Sequence, residues 1–116
     1  MNRTFIDPHN AVFRVVATDG PEGLENFVHR IGLSGQWYAA GQVSNERLAT
    51  CVPAQLDRDV LPGTYITAAG SIVEVTLDDP ESHYPWHGIV DGETEAWCDE
   101  GDCGYDDSRN LVFRLN

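Results

Sequence analysis

Four side chains in the second half of the chain have the chemistry and roughly the spacing to hold a metal ion. His83 and His87 are separated by three residues, and Cys98 and Cys103 by four. These intervals fall within or close to those of zinc ligands. Neutral imidazole and thiolate suit a borderline-soft cation, and Asp99 and Asp102 stand nearby as further oxygen donors. Two features weigh against a zinc-binding module built on these four. Pro85 interrupts the helix that would align the histidines, and the cysteine interval is longer than the common C-x2-C. Two surface histidines and two cysteines, free or in a strained local disulfide, account for the same pattern. Calcium fits less well, because Asp99, Glu100, Asp102, Asp106 and Asp107 do not follow the ligand order of an EF-hand loop. The expectation is a protein without metal or other cofactor.

Signatures of catalysis are missing. The chain has no G-x-S-x-G, no P-loop, no G-x-G-x-x-G and no H-E-x-x-H. Cys51, which follows Leu48-Ala49-Thr50, reads as a small core hydrophobe before it reads as a nucleophile. His29 reads as a residue at the edge of the core. Carboxylates are so numerous that no pair among them is singled out for acid–base work. A non-enzymatic protein is expected, with an unrecognised carboxylate site as the catalytic alternative.

The carboxylates themselves are the chief signal. Asp78, Asp79, Glu81, Asp91, Glu93, Glu95, Asp99, Glu100, Asp102, Asp106 and Asp107 lie within thirty residues, with no cation among them. On a strand, Glu93 and Glu95 project from one face about 7 Å apart. That spacing is comparable with successive phosphates along a nucleic-acid strand. A scaffold presenting such rows can occupy the phosphate-binding groove of another protein, using the Arg and Lys that normally neutralise the backbone. Like charges this close also repel, so something must compensate, and a bound partner is one candidate. A solvated face that aids solubility is the plain alternative. Halophilic adaptation is another, but it would spread acids over the whole surface.

They are not so spread. The 116 residues carry 19 Asp and Glu against seven cations, all of them arginine, for a net charge of −12. Residues 1–58 hold six acids and five arginines, residues 59–108 hold thirteen acids and no arginine, and 109–116 add Arg109 and Arg114. A surface of this sign repels nucleic acid and anionic membrane and attracts basic proteins. Tyr84, Trp86, Trp97 and Tyr105 are interleaved with the acids, and Tyr and Trp are frequent interface anchors. Trp97 and one tyrosine fit a core equally well. Trp86 is the favoured anchor, since Pro85 and Gly88 point to a loop there.

The elements that must position these residues are readable in part. A single domain spanning 1–116 is expected from the length. No apolar stretch approaches a membrane span, no targeting segment is evident, and an odd number of cysteines points weakly to a reducing, cytoplasmic setting. Residues 11–18 are rich in β-branched side chains and read as a strand. Asp19, Pro21 and Glu22 resemble a helix N-terminus. Leu24, Phe27, Val28 and Ile31 then recur at helical spacing up to Gly32, so the main helix is expected over 20–31. Further strands are expected at 36–40, 64–68, 71–77, 88–90, 93–98 and 111–115, with turns at Ala69-Gly70 and Asp91-Gly92 and a short helix capped by Ser44. The expected fold class is α+β, a mainly antiparallel sheet of five to six strands packed by one main helix.

These features together suggest a protein-binding inhibitor or antagonist. Its acidic half would engage a basic, nucleic-acid-binding protein, with no direct contact to nucleic acid or membrane. DNA-mimic and anti-CRISPR proteins of phages and mobile elements have this general profile, a likeness by analogy.

Overall fold

Val73 and Val75 alternate with Ile72, Glu74 and Thr76. A strand with that pattern buries one face, and in the computed structural model, which describes residues 3–32 and 35–115, both valines are buried and Glu74 is exposed. The chain forms two compact units, Arg3–Pro53 and Ala54–Asn116. Each is built on one five-stranded antiparallel sheet.

In the first unit the strands are β1 (Thr4–Ile6), β2 (Val12–Ala17), β3 (Asn26–Ile31), β4 (Trp37–Val43) and β5 (Val52–Pro53), arranged β4-β3-β2-β1-β5. Phe13, Val15 and Val28 form its core, with Phe5, Ala11, Val43 and Leu48 packed against them. Leu48 comes from α1 (Asn45–Leu48). Ser44 caps α1 as its position predicts, its hydroxyl accepting from Arg47 N at 3.1 Å.

The second unit contains β6 (Gly63–Thr67), β7 (Ile72–Leu77), β8 (Trp86–Val90), β9 (Glu93–Trp97) and β10 (Leu111–Arg114) in the order β10-β6-β7-β8-β9. Both hairpin turns lie where their residues place them. Asp91 and Gly92 have φ of 50° and 82°, the paired positive values of the tight hairpin turn that matches strand twist. Tyr65, Val73, Val75, Trp86, Val90, Trp97 and Leu111 make up most of the core.

The structure corrects the expected fold class. The protein is mostly β: among the described residues there are ten strands, and the helical content is α1 and a 3-10 turn at Asp107–Arg109. The helix expected over 20–31 is instead a tight loop leading into β3. Gly23 sits at φ +87°, a left-handed conformation that no helix interior accommodates. Leu24 N donates to Pro21 O and Gly20 N to Glu25 O, each at 2.9 Å. Of the four apolar residues that suggested a helical stripe, only Val28 is fully buried, while Leu24 and Phe27 are exposed. Paired on both sides by β2 and β4, this segment follows its β-branched and aromatic content rather than its spacing.

A second correction concerns Trp86, which is not in a loop. It opens β8 opposite Trp97 and is 7% exposed, so it packs the core.

Candidate binding surface

Arg109 organises part of the acidic stretch. Glu93 and Glu95 leave β9 on the same side, as the two-residue repeat of a strand requires, and both reach the one guanidinium. Nη2 donates to Glu93 Oε1 at 2.8 Å and Nη1 to Glu95 Oε2 at 3.1 Å, and Asp106 Oδ2 lies 3.9 Å from Nε. Glu95 is 5% exposed, a burial that a carboxylate sustains only when paired and hydrogen-bonded. Its other oxygen accepts from Ala96 N at 3.1 Å, and the Tyr105 hydroxyl also donates to Oε2. The hydrogen bonds to Glu93 and Glu95 hold Arg109 above its ordinary pKa. The bond to Glu95 pushes the Tyr105 phenol up.

Other acids serve the local backbone and side chains. Asp106 accepts from Ser108 Oγ at 2.6 Å and Ser108 N at 3.0 Å, bonds that hold its pKa down and cap the 3-10 turn. Asp99 Oδ1 accepts from the Trp86 indole at 2.9 Å. Asp102 Oδ1 accepts from Gly104 N at 2.7 Å, Asp91 Oδ1 lies 3.4 Å from Ser71 Oγ, and Asp78 Oδ2 lies 2.8 Å from His87 Nδ1. Four of the sequence-predicted acids are left over. Asp79, Glu81, Glu100 and Asp107 are exposed, and among the described residues their side chains have no hydrogen-bond or ion-pair partner.

A groove of about 440 Å³ lies within the second unit, lined by Asp57, Asp59, Glu100 and Asp102, with Arg58 its one cationic side chain. Leu56, Leu111 and Val112 supply apolar lining. Asp57 and Asp59 were not among the acids singled out from the sequence. The cluster Asp57-Arg58-Asp59 straddles the point where the near-neutral segment meets the acidic one. The signal that could have found it is the fold's own boundary at Ala54. Counted from there, the chain carries fourteen carboxylates and three arginines, a net charge of −11.

The four residues considered for zinc do not converge. His87 is engaged at both ring nitrogens, by Asp78 and by Tyr84 O at 3.1 Å. Cys98 and Cys103 are unbridged, and Cys103 is buried with its thiol donating to Asp106 O. Among the described residues no three His, Cys, Asp or Glu side chains gather to hold a metal, and no helix is long and apolar enough to cross a membrane.

No protein-family model, curated protein or solved structure matches this chain.

Proposed function

We propose that the second unit is a protein-binding module, non-enzymatic, that engages a basic, nucleic-acid-binding protein in the cytoplasm. It acts there as an antagonist, of the kind phages and mobile elements direct at host nucleases. The observation that carries this reading is the groove lined by four carboxylates and one arginine. It belongs to a unit with a net charge of −11. Carboxylates gathered on a folded surface favour Arg- and Lys-rich partners and speed their encounter. They take guanidinium and ammonium groups in place of phosphate. The acids that serve this role are the uncommitted ones: Asp57, Asp59, Asp79, Glu81, Glu100 and Asp107, with Asp102 at the groove wall. Glu93, Glu95 and Asp99 are tied to Arg109 and Trp86, and of the three only Glu95 is buried.

The test is affinity capture from host extract at low and high salt. It compares the natural chain with a variant carrying Asp57→Asn, Asp59→Asn, Asp79→Asn, Glu81→Gln, Glu100→Gln and Asp107→Asn. A basic nucleic-acid-binding protein held by the natural chain at low salt, and lost with the variant, is the expected result. Equal capture by both chains, or a partner held independently of salt, would count against the proposal.

A further inference from the structure

Two tyrosines of the second unit remain at the surface where the two tryptophans do not. Tyr105 is 72% exposed and Tyr84 is 40% exposed. An aromatic ring at that exposure ordinarily swings freely, but the Tyr105 ring is tied at its far end. Its hydroxyl donates to Glu95 Oε2, and Glu95 is itself fixed by Arg109 and by Ala96 N. Tyr84 packs on Gly104, the residue before Tyr105. A Cβ at that position, which has φ +91°, would stand 2.6 Å from the Tyr84 hydroxyl, so Tyr84 lies directly against the backbone beside Tyr105. Asp102 holds this backbone from the groove side, through its bond to Gly104 N. The exposed Asp107 follows two residues after Tyr105.

We infer that Tyr105, with Tyr84 beside it, is a pre-oriented aromatic anchor that takes an arginine side chain of the basic partner. The inference rests on the proposed function above and assigns the residue and the chemistry that give the surface its selectivity. A guanidinium is planar, stacks on an aromatic face and forks to carboxylates, whereas an ammonium does neither as well. The chain holds an arginine over a ring in this manner elsewhere, since Arg14 lies 4.9 Å from the Trp37 centroid. Fixing the ring before binding removes part of the side-chain ordering cost of association. The surrounding carboxylates exclude the other common user of an exposed aromatic, a nucleic-acid base, because its phosphates are repelled.

The experiment titrates the full chain with an oligoarginine and an oligolysine peptide of equal length at low salt. Affinity is followed by calorimetry and the tyrosine ring signals by NMR. The expected result is tighter binding of oligoarginine, with about two- to five-fold of that preference carried by the ring. The Tyr105 and Tyr84 ring signals should move more with arginine than with lysine. Tyr105→Ala should lose that part of the arginine preference, its affinity falling more for oligoarginine than for oligolysine. Tyr105→Phe, which keeps the ring but frees it, should fall between. An arginine preference unchanged in Tyr105→Ala, or ring signals that respond equally to both peptides, overturns the anchor and leaves the charge-based reading standing. Failure of both peptides to bind the natural chain overturns the reading beneath it. The ring signals of the unaltered chain decide the matter even if Tyr105→Ala fails to fold.

Discussion

The two units use arginine in opposite ways. In Arg3–Pro53, five acids and four arginines nearly balance, and two of those arginines lie over aromatic rings. Arg14 is over Trp37 and Arg30 is 5.5 Å from the Phe13 centroid. Arg14 also donates to His29 Nδ1 at 3.1 Å, and burial lowers its pKa. In the second unit the tryptophans are buried and Arg109 is enclosed by Glu93, Glu95 and Asp106. The first pattern leaves little charge over. The second satisfies the buried carboxylate and still leaves an acidic exterior. Net charge alone therefore misstates the acidic surface, because acids that look equivalent in the chain divide into those paired within the fold and those left without a partner among the described residues.

The sharpest way to break this contrast is in the cores. Trp97→Ala, at a fully buried site, should destabilise the protein by about 4 kcal/mol, against about 2 kcal/mol for Val28→Ala in the first unit. Denaturant unfolding with equal m-values checks both. Next in size is Arg109→Ala, which strands the buried Glu95 carboxylate. It should lower the denaturation midpoint more than Arg30→Ala, since removing one partner of a buried pair costs more than removing a stacked cation. Equal midpoints for the two variants would contradict the role given to Arg109.

Smaller effects separate the units by pH. Tyr105 has a raised folded-state pKa, so its contribution is fully present below the unfolded tyrosine value of about 10 and is lost as pH rises through the folded value. Tyr105→Phe should therefore flatten the alkaline limb of the stability profile. Asp106 and Glu25 have lowered folded-state values. Asp106 is lowered by Ser108, and Glu25 by backbone N–H groups, first its own and then those of Gly23 and Asn45. Their contributions are present above the ordinary carboxylate range and are lost as pH falls through the folded values. Asp106→Asn should remove part of the acid limb in the second unit, and Glu25→Gln part of it in the first. Least of all, neutralising Asp79, Glu81, Glu100 and Asp107 should raise the melting temperature slightly at low salt. The gain should vanish at high salt, where exposed charges are screened.

Much of the second unit was legible in the chain. The alternation of 71–77, the turns at Ala69-Gly70 and Asp91-Gly92 and the pairing of Glu93 with Glu95 on one side follow from local rules. The first unit was harder, because Leu24, Phe27, Val28 and Ile31 satisfy helical spacing while their side chains also suit a strand. Only the partners β2 and β4 and the backbone at Gly23 decide between them. Trp86 was misplaced for a related reason. Pro85 and Gly88 mark irregular backbone, yet a proline just before a strand leaves the ladder intact, and Trp97 opposite supplies the pocket. Arg109 stood just outside the acidic run, and its distance of 14 residues from Glu95 hid the pairing from any local pattern.

If, as proposed, the exposed acids stand in for nucleic acid on a basic partner, the protein competes with nucleic acid for that partner. The most direct test binds a labelled oligonucleotide to the captured partner and adds the protein while anisotropy is followed. The natural chain should release the oligonucleotide, and the variant with Asp57, Asp59, Asp79, Glu81, Glu100 and Asp107 neutralised should release less at the same concentration. An oligonucleotide that stays bound, or one released equally by both chains, would contradict the account.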